Sequence, residues 1–567
     1  MKQLSVGALV LIAAVAATPV NADDAQPIGS EPAGDPFWSW TGAYVGAHVG
    51  AAWGTATFSD PFGPSIYGDN VNTPAFAGGI QAGYNWQIPG SPWVLGAEAD
   101  VSRLVSDGTN TCLAYSGFFV SANCRARPEL AATLTGRVGL AAGPSGRSLL
   151  YLKGGLAGIL ESFDIATNAA LPPLVTSATT WRWGGTVGAG IEHALAPAWS
   201  LKLEYDWMGF GAGGVPAPGG FVQVGPPAAA QFNGTAPATT AVSQSLHVVK
   251  LGLNYRFGVD GRAGWPAASA PSSATPKAAM PLGWEAELGG RYWFSSGRFQ
   301  KDLGSTTVPA TANALNSRLT YDTTAHSGEF FGRVETPWNI FAKGFIGAGS
   351  IATGTLNDED WLLGGGIVPY SNTLSVVNGS IDYATVDLGY DLFRGPDHKL
   401  GIFVGYNYYA ENKTGLGCAQ FANMSSDCTS WFPTSVPVIT ENNTWRSLRV
   451  GVNGEMRLFD SLKLGADIAY LPYVQFDGTD NHVLRGIVSP EWGTGNGVQL
   501  EAVLSYYLTP EFSIGVGGRY WAMWTNDAYV AFGGSPCPCN TLPSRAERYG
   551  VFLQASYRFA QFAGSKD

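Results

Sequence analysis

Two short motifs carry the chemistry this sequence could perform. Asn357-Asp358-Glu359-Asp360-Trp361 sets two carboxylates two residues apart, and Asp480-Asn481-His482 sets a carboxylate and an imidazole at the same spacing. On an extended strand, residues i and i+2 share a face, so each pair points one way. An Asp beside a His holds the ring in one tautomer and raises its basicity, leaving the other nitrogen to take a proton from water. Two close carboxylates resist ionising together, so Asp358 and Asp360 could share a proton or hydrogen-bond an attacking water. His482 is thereby a candidate base, Asp480 its orienter, and the chemistry is hydrolysis by an activated water. The competing reading is bland: exposed loops are rich in Asp for solubility, and either motif alone reads as a solvated loop.

Aiming such pairs takes rigid elements, and the periodicity of the chain supplies strands. Trp199, Leu201, Leu203, Tyr205 and Trp207 alternate with Ser200, Lys202, Glu204 and Asp206, a period of two. The same register recurs at 249–257, with Lys250, Gly252, Asn254 and Arg256 on the second face, and at 448–458, with Arg449, Gly451, Asn453, Glu455 and Arg457. Alternation alone fits a soluble sandwich as well as a membrane barrel. Strands of ~10 residues with aromatic ends, short turns alternating with long loops, and closing strands that end on an aromatic residue favour the outer-membrane barrel.

Composition agrees. Charged residues make up 13% of the 567, about half the roughly 25% of ordinary soluble proteins, while 12% are aromatic and 75 are Gly. The 43 acidic and 32 basic residues give a net charge of −11, which speaks against a nucleic-acid or anionic-lipid surface. Beyond the first twenty-odd residues no uncharged apolar stretch reaches the ~20 residues of a membrane helix. At the start, Lys2, the apolar run from Leu4 to Ala17 and Val20-Asn21-Ala22 predict a secretory signal peptide over 1–22, followed by a short periplasmic lead over 23–37. Three close cysteine pairs fit an exported chain: Cys112 with Cys124 and Cys418 with Cys428 are expected bridges between strands, and Cys537 with Cys539 is left undecided because a bridge across one residue is strained.

Eight strands are predicted from 43 to 257 and ten from 283 to 559. The fold class expected is all-β, two transmembrane antiparallel barrels in tandem: an eight-stranded barrel over 38–257, a Pro/Ala/Ser-rich linker over 258–281, a ten-stranded barrel over 282–560, and a tail over 561–567. Even counts leave the ends of both barrels on the periplasmic side. A single eighteen-stranded pore is the rival topology; the linker and the two separate closing strands, Leu251 to Phe257 and Leu553 to Phe559, argue against it. Barrels of these sizes are filled by side chains, so bulk transport is not expected.

Two resemblances follow from particular segments. Trp40-Thr41-Gly42-Ala43-Tyr44-Val45-Gly46-Ala47-His48-Val49-Gly50, and later Gly188-Ala189-Gly190-Ile191-Glu192 with 199–205, resemble the eight-stranded outer-membrane immunogenic proteins. That family implies a surface antigen or envelope-stabilising barrel without catalytic residues. The second half resembles the omptins, ten-stranded outer-membrane endoproteases with their site at the outer mouth. The Asp358/Asp360/Trp361 motif in the second outer loop matches the omptin Asp-x-Asp-Trp pair, and Val474-Gln475-Phe476-Asp477-Gly478-Thr479-Asp480-Asn481-His482 in the fourth matches the Asp-x-His dyad. The resemblance implies that these four residues activate water for peptide-bond hydrolysis. Where omptins place acids to receive a basic side chain, this chain has Lys301 and Gly478, and Leu363 stands where the pattern has a further Asp, so cleavage between basic residues is not implied. Omptins also depend on lipopolysaccharide, yet the aligned stretch from Tyr406 to Ala410 has no basic residue. Expected partners are outer-membrane lipid, lipopolysaccharide and a peptide or protein substrate at the extracellular face, with no nucleic acid; no cofactor is expected besides the lipopolysaccharide.

Other constellations are weaker. His48, His193, His247, His326 and His398 lack ligand spacing and read as lumen or turn residues. Asp382, Asp387 and Asp391 read as lumen partners of Arg449, Arg457 and Arg519. Two functions therefore stand side by side: a surface endopeptidase, and a non-catalytic structural, antigenic or adhesive barrel.

Overall fold

The computed structural model describes residues 38–59, 69–112, 122–143, 146–167, 174–218, 221–224, 231–234, 238–257, 283–304, 315–361, 371–395, 397–420, 428, 432–534 and 540–559. The expected signal peptide, lead, linker and tail, together with Leu363, Cys537 and Cys539, lie outside the described residues.

Alternating apolar and polar residues leave one face of each strand for lipid and one for the interior, and pairing every strand on both sides removes the edges. The first sheet runs through β1 (Gly42–Phe58), β2 (Ala75–Gln87), β3 (Trp93–Ser106), β4 (Ala122–Ala142), β5 (Ser148–Thr167), β6 (Val175–Ala196), β7 (Trp199–Ala217) and β8 (Ala238–Arg256), and β8 pairs back to β1. The second runs through β9 (Glu285–Gly304), β10 (Leu315–Glu335), β11 (Ile340–Asp360), β12 (Ser371–Arg394), β13 (His398–Gln420), β14 (Phe432–Phe459), β15 (Leu462–His482), β16 (Ile487–Tyr507), β17 (Phe512–Val530) and β18 (Ser544–Phe559), which pairs back to β9. These are closed antiparallel barrels of eight and ten strands. Each carries an outward belt of exposed apolar side chains, such as Leu152 and Trp183 on the first and Phe330 and Ile346 on the second. Water would not tolerate a belt of that extent, whereas hydrocarbon does.

Several expectations need correction. The strands run far past ~10 residues, up to 28 in β14, because their outer halves leave the membrane and keep pairing without the apolar alternation that betrays a strand. Cys112 and Cys124, expected between strands, sit on a paired hairpin and are bonded; Cys418 on β13 is bonded to Cys428. His247 and His326 face outward, each hydrogen-bonded to a tyrosine hydroxyl, Tyr205 and Tyr292 respectively. Asp387 and Arg449 meet at 3.5 Å as expected, but Arg519 pairs with Glu329 and Glu501, Arg457 with Asp397 and Asp460, and Asp382 lies in phase with the outward-facing Val386 and Leu388.

Charges fill both bores. In the first, Lys202 and Lys153 lie 3.0 and 3.1 Å from Glu98, Lys153 also 3.0 Å from Glu204, and Lys250 2.6 Å from Asp206. In the second, Arg519 is clamped by Glu329 at 2.7 Å and Glu501 at 2.6 Å beneath Trp293 and Trp521. Each charge named here has an opposite charge within 3.1 Å, so opening a water-filled path would strand buried charges. The purified chain is therefore expected to stay silent in a planar bilayer; stable unitary conductance steps would contradict the filled bores.

The barrels stand side by side. Ala51, Leu201 and Leu251 of the first pack with Met456, Ile468, Leu500 and Tyr520 of the second. At the outer end, Arg318 on β10 donates to Thr111 Oγ1 at 2.7 Å and to Asn123 Oδ1 at 2.6 Å, and Arg545 lies 3.0 Å from Asp107. The disulfide-bearing hairpin of the first barrel thus braces the strands that shape the outer mouth of the second.

Candidate functional site

The four motif residues stand on strand extensions, not on free loops. Along the lower part of β11 the odd-numbered residues Phe341, Gly347 and Ile351 face in while Ile346 faces lipid. Pairing with β10 then shifts by one residue, Ala325 opposite Ile351 but Thr324 opposite Thr353, so Ala352 is an extra residue. Such a bulge exchanges the faces beyond it. Leu356, Asp358 and Asp360 turn inward, and Glu359 turns outward to accept from Thr111 of the first barrel at 3.1 Å.

The same device operates on β15. Its lower inward residues are the odd-numbered Ala469 and Leu471; β16 advances two residues, Gly497 to Gly495, while β15 advances three, Leu471 to Val474. Beyond this bulge at Pro472-Tyr473 the inward set is Val474, Phe476, Gly478, Asp480 and His482. β11 and β15 lie four strands apart in a closed ten-strand ring, so the two motifs converge from opposite walls of one mouth. The floor below them is aromatic, with Trp445 and Phe476 at 4.6 Å between centroids and Phe299 beside Phe476 at 6.2 Å.

His482 Nδ1 lies 3.4 Å from Asp480 Oδ1. The other oxygen of Asp480 lies 3.0 Å from the Lys301 ammonium, which also touches Glu441 at 2.5 Å and Glu491 at 2.7 Å. Burial works against the charge on Lys301, but Asp480, Glu441 and Glu491 more than reverse this and hold its pKa well above the ordinary lysine range. The carboxylates share the strain: burial, and then Glu441, push Glu491 well up, and burial raises Glu441 despite Lys301. Asp358 is pushed well up by the surrounding protein, then by Asp360 and Asp480, with Arg485 and Lys301 opposing. Asp360, at the exposed rim, is raised by the surrounding protein and held back by Ser317, Arg485 and His482. Asp358 is thus coupled electrostatically to Asp480 and Asp360 to His482: each acid of one motif feels a member of the other.

Lys301 and Gly478 were legible in the sequence as departures; Glu441 and Glu491 were not. Space explains part of this: a Cβ on Gly478 would lie 2.8 Å from Glu491 Oε2, so Glu491 fills the room an acid at 478 would need. Isolated acids on inward faces look alike in sequence, and only the fold gathers these two around one lysine.

Glu359, buried between the barrels, is pushed up to about 7 by burial, against the attraction of Arg318 and the bond from Thr111. With an unfolded value near 4.3, its folded form holds the proton longer. That contribution to stability is full below pH ~4.3 and is lost as pH rises from there to about 7, amounting to roughly 4 kcal/mol. Thermal denaturation is therefore expected to show the wild type weakening between about pH 4 and 7, and Glu359→Gln flattening that decline; parallel curves would refute the assignment.

Residues 8–257 match the family described as the outer membrane protein beta-barrel domain, and residues 329–528 match the omptin family. The 31 kDa outer-membrane immunogenic protein of Brucella melitensis biotype 1 is 31% identical over 264 residues, 45% of this chain and 97% of that protein. The protein of the same name from Brucella suis biovar 1 matches to the same extent. Among solved structures, the outer membrane protease OmpT of Escherichia coli aligns with a TM-score of 0.42 at 13% identity, covering 52% of this chain and 100% of that one.

Proposed function

We propose that this chain, which belongs to the outer-membrane immunogenic protein family through its first half and matches the omptin family over residues 329–528 of its second, is a surface endopeptidase. Both families are outer-membrane barrels, and the chain resides in that membrane.

The observation that carries the reading is the pair of bulges, which turn Asp358/Asp360 and Asp480/His482 into one mouth within electrostatic reach. A water held between the pairs attacks the peptide carbonyl carbon and gives its proton to His482; that proton then passes to the leaving amine as the C–N bond breaks. Asp480 orients His482. Asp358, with its raised pKa, keeps a proton to share with Asp360 and so positions the water as a donor and an acceptor together. The Lys301 ammonium already occupies the acid pocket of Glu441 and Glu491, so a basic substrate side chain meets repulsion there and neutral or acidic side chains are preferred.

A second reading draws on Asp480, which lies closer to Lys301 than to His482, 3.0 against 3.4 Å. A carboxylate neutralised by lysine orients a histidine weakly, which suits a non-catalytic antigen or adhesin. Cleavage of an unbiased peptide library by the folded chain with lipopolysaccharide added separates the two. Cuts beside non-basic residues support the endopeptidase; none from a correctly folded, lipopolysaccharide-bound protein supports the second reading.

A further inference from the structure

At the periplasmic rim, far from this mouth, three ligand-type side chains from different barrels meet. His193, near the end of β6, is buried, and its Nδ1 lies 2.9 Å from the Ser148 hydroxyl. Its Nε2, buried and without a hydrogen-bond partner, points across to the second barrel, 3.6 Å from Asp397 Oδ2. Asp397 Oδ1 lies 2.8 Å from Nδ1 of the buried His398 at the start of β13. The two imidazole centroids are 5.6 Å apart, and one ligand atom from each residue lies within 4.8 Å of the other two.

We infer that His193, Asp397 and His398 form a zinc site that clasps the two barrels together at their periplasmic ends. Two imidazole nitrogens and a carboxylate are a donor set of the right hardness for Zn²⁺, and water can complete the tetrahedron. Metal-binding histidines tie down their other ring nitrogen, and Ser148 is placed to do so here: with its hydroxyl 2.9 Å from Nδ1 of His193 it can accept from Nδ1–H and leave the Nε2 lone pair aimed at the cluster. A plain ion pair explains the site less well, since 3.6 Å is too long for a hydrogen bond and Nε2 stays orphaned in a buried place. The second-barrel turn is shaped for the ring: a Cβ on Gly395 would lie 2.5 Å from His398 Cε1. Arg457 stands 3.9 Å from Asp397 and its backbone N–H donates to the Asp397 carbonyl at 2.7 Å. Its charge weakens cation binding without blocking it, because the guanidinium is partly exposed and can turn to solvent.

Zinc titration of the full, tag-free chain in detergent, stripped with chelator and competed against a chromophoric zinc indicator, tests this directly. One equivalent is expected in the wild type, lost in His193→Gln and in His398→Gln, and weakened about 10- to 100-fold in Ser148→Ala. His326→Gln, on the outward face of β10, retains it. Heat-modifiable migration in gels confirms that each variant is folded. A folded wild type that binds no zinc, or zinc bound equally by His193→Gln, overturns the site.

Discussion

On the endopeptidase reading, peptide cleavage by His482→Ala is expected to fall about 10²- to 10⁴-fold, the usual contribution of a positioned general base. Asp360→Ala should lose a comparable amount, because a water held by only one motif is neither aimed nor deprotonated. Residues acting as a unit are not additive, so the double variant should be little worse than either single one. Structural loss is easily told apart. Asp360 is exposed at the rim and His482 only partly buried, so both variants should keep the heat-modifiable migration of the wild type. Cleavage undiminished in both would remove these residues from the chemistry, and the proton path would have to be sought elsewhere in the mouth.

Lys301→Met should be the most destabilising single change at the mouth. It removes the ammonium from among Glu441, Glu491 and Asp480 and keeps the apolar stem, so the effect is almost wholly one of charge. Breaking a buried pair by deleting one partner costs about 3–5 kcal/mol. The sign with pH is definite. In the wild type the raised lysine pKa keeps that stabilisation in place throughout the neutral range, to be lost only as pH climbs through the folded value. In the variant, Glu441 and Glu491, already pushed up by burial and now without a cation, hold their protons to still higher pH, so stability lost at pH 8 should return on acidification. Glu441→Gln in the same background should restore part of it at neutral pH. Denaturation midpoints across pH for the single and double variants check this; a pH-independent loss would point to packing instead. If the proposed peptidase activity is present, the vacated acid pocket should also accept Lys or Arg side chains that the wild type repels.

Much of this architecture was legible in the sequence because the bilayer dictates it. Where strands cross lipid, alternation is strict: Trp199 to Trp207 and 448–458 read correctly, and so did tight turns such as Thr509-Pro510-Glu511. The outer strand ends were read short because protein above the membrane has water or a neighbouring barrel on one side, and the code relaxes there. The motif pairs could be recognised by residue type and spacing, but their orientation could not. Counting in twos from Ile346 puts Asp358 on the lipid side, and only the extra residue at Ala352 brings it indoors. His193 and His398 gave no spacing signal because their neighbourhood is created by the contact of two barrels.

The bulges at Ala352 and Pro472-Tyr473 also divide each strand into two provinces with separate evolutionary rules. Below the bulge, phase is owned by the membrane, and a slip of one residue would turn charge toward hydrocarbon. Above it, phase is owned by the mouth, and the bulge absorbs the mismatch like a clutch between two shafts. A lineage could therefore rewrite the mouth, even by gaining or losing a residue at the clutch, without renegotiating the transmembrane wall. On β11 such a slip would trade Asp358 and Asp360 for Glu359, exchanging the face that lines the mouth with the face that meets the first barrel. An acidic triplet at that junction keeps a carboxylate on both sides whichever way the clutch is set.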